Sequence, residues 1–253
     1  MQTSELTSHG YIMAQPPVIQ GTPVGDFFNG LIRGLVHKQN NFLAVIQGFS
    51  SLILMGDGLD ETTRENLDHM KEAAQGAAGL AERILAAGGC VRITPQAVQL
   101  KDYLPVMDGT LRAPFNKFNV PFQINISPDV PPVLIDSGRF KELLGDLLLN
   151  AAEAVSGSGQ PGAAALDVLP PGSLPESRPG HVDVLVRNTG APISPEKLKD
   201  VFKPFASTKD SKHFGIGLTV ASVLASQMKA TLGVRSTPEA TTFWLSVPVA
   251  SPA

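Results

Sequence analysis

Gly215 and Gly217 have the spacing and the neighbours that a phosphate-binding turn requires. Both come directly before residues 219–228, whose apolar pattern predicts a helix. Glycines that open a helix leave backbone N–H groups accessible, and anions bind at such N-termini. Nearby lysines add positive charge: Lys203, Lys209 and Lys212. Two glycines before a helix also form ordinary tight turns, so the pattern by itself leaves both interpretations open.

The stretch before these glycines predicts a strand, a glycine turn and a short helix. Apolar residues alternate along 182–186, and Asn188 and Gly190 follow, as in a strand that ends in a turn. Ser194 is the predicted N-cap of a helix, because a proline and an acid follow it. We expect this helix to end near Phe202, before the basic loop.

Residues 139–155 predict a long amphipathic helix that Asp136 caps. Six apolar residues are predicted to form its buried side: Phe140, Leu143, Leu144, Leu147, Leu148 and Ala151. The opposite stripe carries three acids and one amide: Glu142, Asp146, Asn150 and Glu153. On helical spacing alone, such a stripe is most simply a solvated face.

A histidine near the N-terminus lies outside a predicted helical seam. The seam repeats at alternating steps of four and three residues and has one polar member. It consists of Phe28, Ile32, Leu35, Gln39, Phe42, Ile46, Phe49 and Ile53. His37 falls outside it, and Asn41 lies one turn further along the same face. An exposed imidazole is a competent nucleophile towards a phosphate, although an isolated histidine there is more simply a surface residue.

A second helix with the same rhythm follows a glycine-rich break at residues 56–58. Asp60 is its predicted N-cap, and Gly88 and Gly89 close it. Its seam consists of Thr63, Leu67, Met70, Ala74, Ala77, Ala81 and Ile84. Two such helices form an antiparallel hairpin that cannot bury both of its flanks alone. We therefore expect a homodimer in which two hairpins make a four-helix bundle.

Together, these motifs resemble those of sensor histidine kinases, whose ATP-binding domain belongs to the superfamily of gyrase B and Hsp90. The likeness extends from about Phe27 to Pro248. It implies an α+β fold in which an antiparallel helical hairpin precedes an α/β two-layer sandwich. The implied domains are a flexible tail (residues 1–25), a dimerisation and phosphoacceptor hairpin (26–88), a linker (89–98) and an ATP-binding catalytic domain (99–253).

The resemblance also assigns roles to individual residues. His37, in the run His-Lys-Gln-Asn-Asn, matches the phosphoacceptor, and Asn41 matches a residue that positions water in a phosphatase reaction. Asn150 matches a Mg²⁺ ligand, and Asp146 is a second metal ligand or, as in gyrase-type ATPases, a catalytic base. The implied ATP-binding residues are Asn150, Asn188, Gly190, Lys209, Gly215, Gly217, Leu218 and Thr242.

Three positions depart from the pattern of this family. Lys38 follows His37 where the family usually has an acid that orients the ring and accepts its proton. Asn188 replaces an adenine-reading Asp, and its carbonyl accepts a hydrogen bond without the help of a charge. His213 replaces the first glycine of a longer glycine motif in the lid.

The implied function is that of a two-component histidine kinase. Such an enzyme uses ATP and Mg²⁺ to phosphorylate His37 and passes the phosphoryl group to an Asp on a response-regulator receiver domain. The departures leave open a phosphotransfer, phosphatase or scaffold module without autokinase activity, an ATPase that uses Asp146 as base, or a serine kinase. The residues identify neither the stimulus nor the response regulator, and they do not distinguish phosphorylation within a protomer from phosphorylation across the dimer.

Composition indicates the setting in which the chain works. It has 253 residues, of which 43% are hydrophobic, and this is enough for a real core. The net charge of −3 does not indicate a nucleic-acid-binding face. Residues 42–55 are too short to span a membrane, and the first residues do not resemble a signal peptide. With a single cysteine, Cys90, we expect a cytoplasmic protein that receives its input from an upstream sensor protein or through its short tail.

Overall fold

The computed structural model describes residues 10–16, 23–206 and 215–250. The chain divides into two compact units. One unit is Val18–Val91, and the other combines Met1–Pro17 with Arg92–Ala253. The chain therefore starts in the larger unit, leaves it for the smaller one and then returns. None of the helices in the described ranges is long and apolar enough to cross a membrane.

The smaller unit is a hairpin of two long helices, as the heptad pattern predicts. Helix α1 is Pro23–Leu54 and helix α2 is Glu61–Ala87. Asp60 caps α2, because its Oδ1 atom accepts a hydrogen bond from the backbone N–H of Thr63 at 2.8 Å. The two ends of the hairpin lie close together, since the Sγ atom of Cys90 donates to Oδ1 of Asn29 at 3.0 Å.

The hairpin buries mostly small residues and leaves its large apolar residues exposed. The buried side chains of α1 and α2 are Val36, Ser50, Leu67, Ala74, Ala81 and Ala86. Members of the predicted α1 seam remain largely exposed, with Phe42 at 70% and Phe49 at 63%. The apolar flank that the heptads predicted is thus present, and within the described part of this unit no other element covers it.

The larger unit is built on a six-stranded mixed sheet. In chain order its strands are β1 Ile12–Met13, β3 Phe122–Ile126, β5 Ala164–Leu169, β6 His181–Asn188, β7 Thr231–Ser236 and β8 Thr241–Pro248. Across the sheet the order is β1-β7-β8-β6-β5-β3. Every pairing is antiparallel except that between β3 and β5. A separate two-stranded sheet joins β2, Gln96–Val98, to β4, Val133–Ile135.

Five helices complete this unit: α3 Leu100–Val106, α4 Asp108–Phe118, α5 Ser137–Ser156, α6 Pro195–Leu198 and α7 Gly217–Gln227. Helices α5 and α7 pack side by side on one face of the sheet. Asp136 caps α5 by accepting from the backbone N–H of Arg139 at 3.1 Å, and all six residues of its predicted apolar side are buried. Helix α6 ends at Leu198 rather than near Phe202, because only turns follow it.

Two segments predicted to lie outside the folded domain contribute strands to it. Residues 1–25 are predicted as a flexible tail, yet Ile12 and Met13 pair with Val234 and Gly233 on β7. Within the predicted linker 89–98, strand β2 pairs with β4. In each case a short apolar stretch satisfies its backbone hydrogen bonds at the edge of a sheet, and two or three residues are too few to give a readable alternation.

Gly190, in the turn after β6, lies against the backbone of α5. A Cβ atom at this position would lie 2.4 Å from the backbone carbon and oxygen of Ala154 and 2.6 Å from the nitrogen of Val155. The next residue strengthens the contact, since the N–H of Ala191 donates to the carbonyl of Ala154 at 3.3 Å. Only glycine allows the two backbones to approach this closely.

We expect Gly190→Ala to lower the free energy of unfolding of the larger unit by about 1–3 kcal/mol, because the added methyl group overlaps helix backbone that cannot move aside. Gly145→Ala is the matched control. Gly145 is exposed on α5, the helix that Gly190 approaches, and a Cβ atom at Gly145 meets nothing within 4 Å. The control should be neutral or stabilising by up to about 1 kcal/mol. Urea unfolding followed by the fluorescence of Trp244 measures both, and equal stability of the two variants would contradict the prediction.

Candidate active site

The end of β6 places Asn188 in the interior, on the sheet face that packs against the helices. Asn188 is 1% exposed, and its Oδ1 atom accepts a hydrogen bond from the backbone N–H of Gly190 at 3.1 Å. This bond fixes both the amide group and the turn after it. A carbonyl oxygen has a second lone pair, so Asn188 retains the capacity to accept another hydrogen bond, as its predicted role requires.

The neighbouring strands bring Thr241, rather than the predicted Thr242, to the face that carries Asn188. Thr241 is paired with Asn188 on β6 and with Ser236 on β7, and side chains directly opposite each other share a face. Oγ of Ser236 and Oγ1 of Thr241 are 2.7 Å apart. Thr242 is paired with arginines on both neighbouring strands and lies on the other face of the sheet. A one-residue step along a strand reverses the face, so the candidate position moves to Thr241.

Helix α5 carries both predicted metal ligands one turn apart. Asn150 is half-buried, and Asp146 is buried with 8% of its surface exposed. Asp146 is therefore not part of a solvated face, which corrects the simplest interpretation of the polar stripe. A carboxylate and an amide oxygen at this spacing are hard donors, and this is the ligand chemistry that Mg²⁺ prefers. The donor set fits the ion.

The N-terminus of α7 has the properties of an anion-binding turn. Gly215 has a φ of +64°, a left-handed conformation that favours glycine, and Gly217 is the first residue of the helix. The N-cap residue, Ile216, makes no side-chain capping bond. Backbone N–H groups of the first turn, including that of Leu218, thus lack the side-chain cap that usually satisfies one of them.

The two ends of the predicted lid are joined beside this turn. The backbone N–H of Phe205 donates to the carbonyl of Gly215 at 2.9 Å, and Oγ1 of Thr219 donates to the carbonyl of Phe202 at 3.0 Å. Lys203 pairs with Asp200 at 2.6 Å on the exposed surface. Lys209 and the other predicted lid residues, Lys212 and His213, lie outside the described residues.

In the hairpin unit, His37 and Asn41 lie one turn apart on α1, and both side chains are exposed. Lys38 is exposed as well, while Val36 is 6% exposed and belongs to the interior of the hairpin. The imidazole is therefore accessible to a reaction partner and is not a buried core histidine.

Comparisons with known proteins agree with this arrangement. A model of the histidine kinase-, DNA gyrase B-, and HSP90-like ATPase family matches residues 135–251. The sensor kinase CckA of Brucella abortus is 29% identical over 199 residues, which are 75% of this chain and 21% of that protein. The sensory histidine kinase/phosphatase NtrB of Rhodobacter capsulatus is 27% identical over 228 residues, which are 87% of this chain and 62% of that protein.

The relatives that the chain resembles over most of its length are sensor histidine kinases. Its larger unit carries an ATP-binding domain of the type shared with gyrase B and HSP90. The structure of full-length ShkA in complex with AMPPNP has the same fold, with a TM-score of 0.74 at 20% identity over 88% of this chain and 46% of that chain. The chain spans between 21% and 62% of the length of the two curated relatives described above.

Several site features escape a reading of the sequence. The alternation of β8 indicates two faces, but only the register with β6 decides which threonine shares a face with Asn188. Ser236, which accepts from the backbone N–H of Ile193 at 2.9 Å, holds the segment after the glycine turn and was not a candidate. The sequence offers one signal for Ser236: it is a polar residue at the end of a strand, a few residues before Thr241 and Thr242.

Thr241→Val should weaken nucleotide binding, whereas Thr242→Val should leave it unchanged. Both substitutions replace a hydroxyl by a methyl group of similar size, and only Thr241 lies on the face of Asn188. A lost hydrogen bond of about 0.5–1.5 kcal/mol corresponds to a roughly 2- to 10-fold rise in the dissociation constant. Isothermal titration with a non-hydrolysable ATP analogue measures this. A larger effect at Thr242 than at Thr241 would place adenine elsewhere.

Proposed function

We propose that this chain is an ATP-dependent protein histidine kinase that phosphorylates its own His37 and passes the phosphoryl group to an Asp on a response-regulator receiver domain. One observation carries the proposal: an exposed histidine, with Asn41 one turn further on, lies on a long helix in a chain that also holds an ATP-binding domain of this family. Neither a surface histidine nor an ATP-binding domain would by itself require the other.

Each part of the nucleotide has a candidate partner in the larger unit. Asn188 and Thr241 share the face and the sheet end that would bind the adenine edge. Gly215 and Gly217 would bind phosphate oxygens through backbone N–H groups at the start of α7. Asn150 and Asp146 would hold Mg²⁺, which neutralises charge on the phosphates when it is bound.

The transfer step needs little covalent participation from the protein. A neutral ring nitrogen of His37 attacks the γ-phosphorus of ATP, and a nitrogen–phosphorus bond forms as the bond from that phosphorus to the bridging oxygen breaks. ADP takes the electron pair of the broken bond. Because His37 is exposed, it can present a free nitrogen without rearrangement of the hairpin.

Lys38 supports a second candidate function. The ammonium group of Lys38 is exposed directly after His37 and cannot accept the proton that leaves the ring. A chain of this kind could bind ATP yet act as a phosphotransfer, phosphatase or scaffold module without autokinase activity. The buried Asp146 keeps an ATPase of the same fold as a third candidate, since a carboxylate at this position would accept a proton from an attacking water.

The partners follow from the same proposal. A receiver domain would take the phosphoryl group from His37, and an upstream sensor protein would supply the signal. A second copy of the chain would cover the exposed apolar flank of the hairpin, where Leu35, Phe42, Phe49 and Leu52 are each more than half exposed. Burying this flank in a four-helix bundle is the simplest way to remove it from water.

Incubation of the purified protein with radiolabelled Mg-ATP tests the proposed function. We expect acid-labile, alkali-stable label on the wild type and none on His37→Ala, because phosphorylated histidine has that chemistry. Lys38→Glu restores the acid usual in the family and should raise the rate of labelling at least several-fold, in line with the 10²–10⁴-fold that a positioned base can contribute.

Other outcomes separate the candidates. Label on Lys38→Glu but not on the wild type would indicate an ATP-binding domain joined to a disarmed acceptor. Release of inorganic phosphate that Asp146→Asn abolishes and His37→Ala spares would favour the ATPase. The absence of label from the wild type, His37→Ala and Lys38→Glu would overturn the autokinase and favour the phosphotransfer or scaffold module.

The homodimer has its own test. Phe42→Glu together with Phe49→Glu places two charges in the exposed flank, and we expect the protein to change from a dimer of 26.7 kDa chains to a monomer. Ala44→Glu is the matched control, because Ala44 is exposed on the same helix but outside the seam. Light scattering coupled to gel filtration measures the mass. A wild type that runs as a monomer would contradict the proposed bundle.

A further inference from the structure

The first described residues of the chain are bound to the far edge of the ATP-binding sheet. Strand β1 pairs with β7, and the N–H of Ala14 adds a hydrogen bond to the carbonyl of Leu232 at 2.8 Å. Tyr11 is 2% exposed and its ring centroid lies 5.4 Å from that of Trp244. Arg235 lies on β7, and its guanidinium carbon is 4.8 Å from the centroid of the Tyr11 ring.

This docking surface lies on the face of the sheet opposite the nucleotide site. Burial raises the pKa of the Tyr11 hydroxyl, and the negative charge of Glu176 adds to the rise. Asp183 accepts from Nε1 of Trp244 at 2.8 Å and from the hydroxyl of Ser177. Burial raises the pKa of the Asp183 carboxyl above its usual range, although these two donors oppose the rise. The N-terminal segment and the segment around Glu176 therefore cover one surface together.

Gly233 on β7 leaves space for the side chain of Met13. Met13 lies directly opposite Gly233, and a Cβ atom at Gly233 would be 2.7 Å from Sδ of Met13. The space that a side chain would fill is thus occupied by the methionine. Docking of residues 11–13 buries the aromatic ring, the isoleucine and part of the methionine, and it uses the otherwise open edge of β7.

The position of this segment in the chain makes it a second covalent link between the two units. Ala14 is followed nine residues later by Pro23, the start of α1, and Ala87, the end of α2, is followed nine residues later by Gln96, the start of β2. The hydrogen bond between Asn29 and Cys90 places both links at the same end of the hairpin. Nine residues reach at most roughly 30 Å.

We propose that residues 10–14 are a releasable strap: while docked they restrain the ATP-binding unit and keep phosphorylation of His37 slow, and undocking speeds it. The proposal rests on the proposed kinase function. His37 is 14 residues beyond Pro23, roughly 21 Å along the helix at 1.5 Å per residue, so the acceptor lies away from the end of the hairpin at which both links attach. A second link narrows the orientations that the ATP-binding unit can sample on the way.

The strap is small enough to undock. Its strand has two residues, and one aromatic ring supplies its main anchor. Segments of this size, with few buried residues, open at the low end of the local stability range while the rest of the fold stays intact. Release therefore needs no unfolding of the sheet, whose strands β7, β8 and β6 pair without it.

A reversible lock tests the restraint directly. In a Cys90→Ser background, Met13→Cys and Gly233→Cys place two thiols at directly opposed positions, where a disulfide would hold the strap docked. We expect the oxidised protein to autophosphorylate at least several-fold more slowly than the same protein after reduction. The Cys90→Ser protein alone, with and without reductant, is the control.

Release is the opposite test. Tyr11→Ala removes the anchor and should raise the rate of labelling of His37 several-fold, with a red shift in Trp244 emission as water reaches the indole. Gln15→Ala is the matched control, because Gln15 belongs to the same segment and its side chain is exposed. An unchanged or lower rate in Tyr11→Ala, or equal rates in the oxidised and reduced lock, would overturn the proposal.

A readout without phosphoryl transfer keeps the two proposals separate. ¹⁵N relaxation of backbone amides in β6 and β8 gives the rotational correlation time of the ATP-binding unit. If the strap restrains this unit, the correlation time should be shorter in Tyr11→Ala than in Gln15→Ala and longer in the oxidised lock. If the wild type takes up no label but the variants show these changes in correlation time, the kinase is refuted and the restraint is retained. If the wild type takes up label but the correlation times do not change, the strap alone is refuted.

Discussion

The approach of Gly190 to the backbone of α5 is the contact on which the nucleotide site depends. It joins the end of β6, which carries Asn188, to the helix that carries Asn150 and Asp146. Neither group could be placed by its own element alone, because strands and helices pack about 10 Å apart unless a small residue lets them closer. The hydrogen bond from Gly190 to Asn188 then orients the amide within the same turn. One short backbone contact therefore sets the relative positions of Asn188, the proposed adenine-binding residue, and of the proposed metal ligands.

The sequence predicts the parts of this fold whose patterns are long and regular. The two heptad helices, α5 with its Asp136 cap and its buried side, and strand β6 all follow from periodicity. Helices α3 and α4 were missed, because each is short and contains a proline, Pro105 or Pro114, which ordinarily argues against a helix. The pairing of short edge strands such as β1 depends on a partner far along the chain.

The sequence predicts which types of residue form the candidate site, but it does not determine on which face of a strand each residue lies. The alternation of β8 is real, yet all but one of its residues are buried, so burial does not separate Thr241 from Thr242 and only register does. Asp146 shows a related limit: helical spacing places it with polar residues, and the fold nevertheless buries it. In the hairpin, small residues such as Ala74 and Ala81 let α1 and α2 approach closely, and the large apolar residues are left outside.

The placement of β1 also bears on the order in which the chain folds. Ile12 pairs with Val234, 222 positions later (234 − 12), so β1 has no partner until β7 has been made. The hairpin between them consists of local contacts and can form early, whereas closing so long a loop is entropically costly and slow. Until β1 docks, β7 has an unpaired strand edge, which is the kind of edge through which chains aggregate.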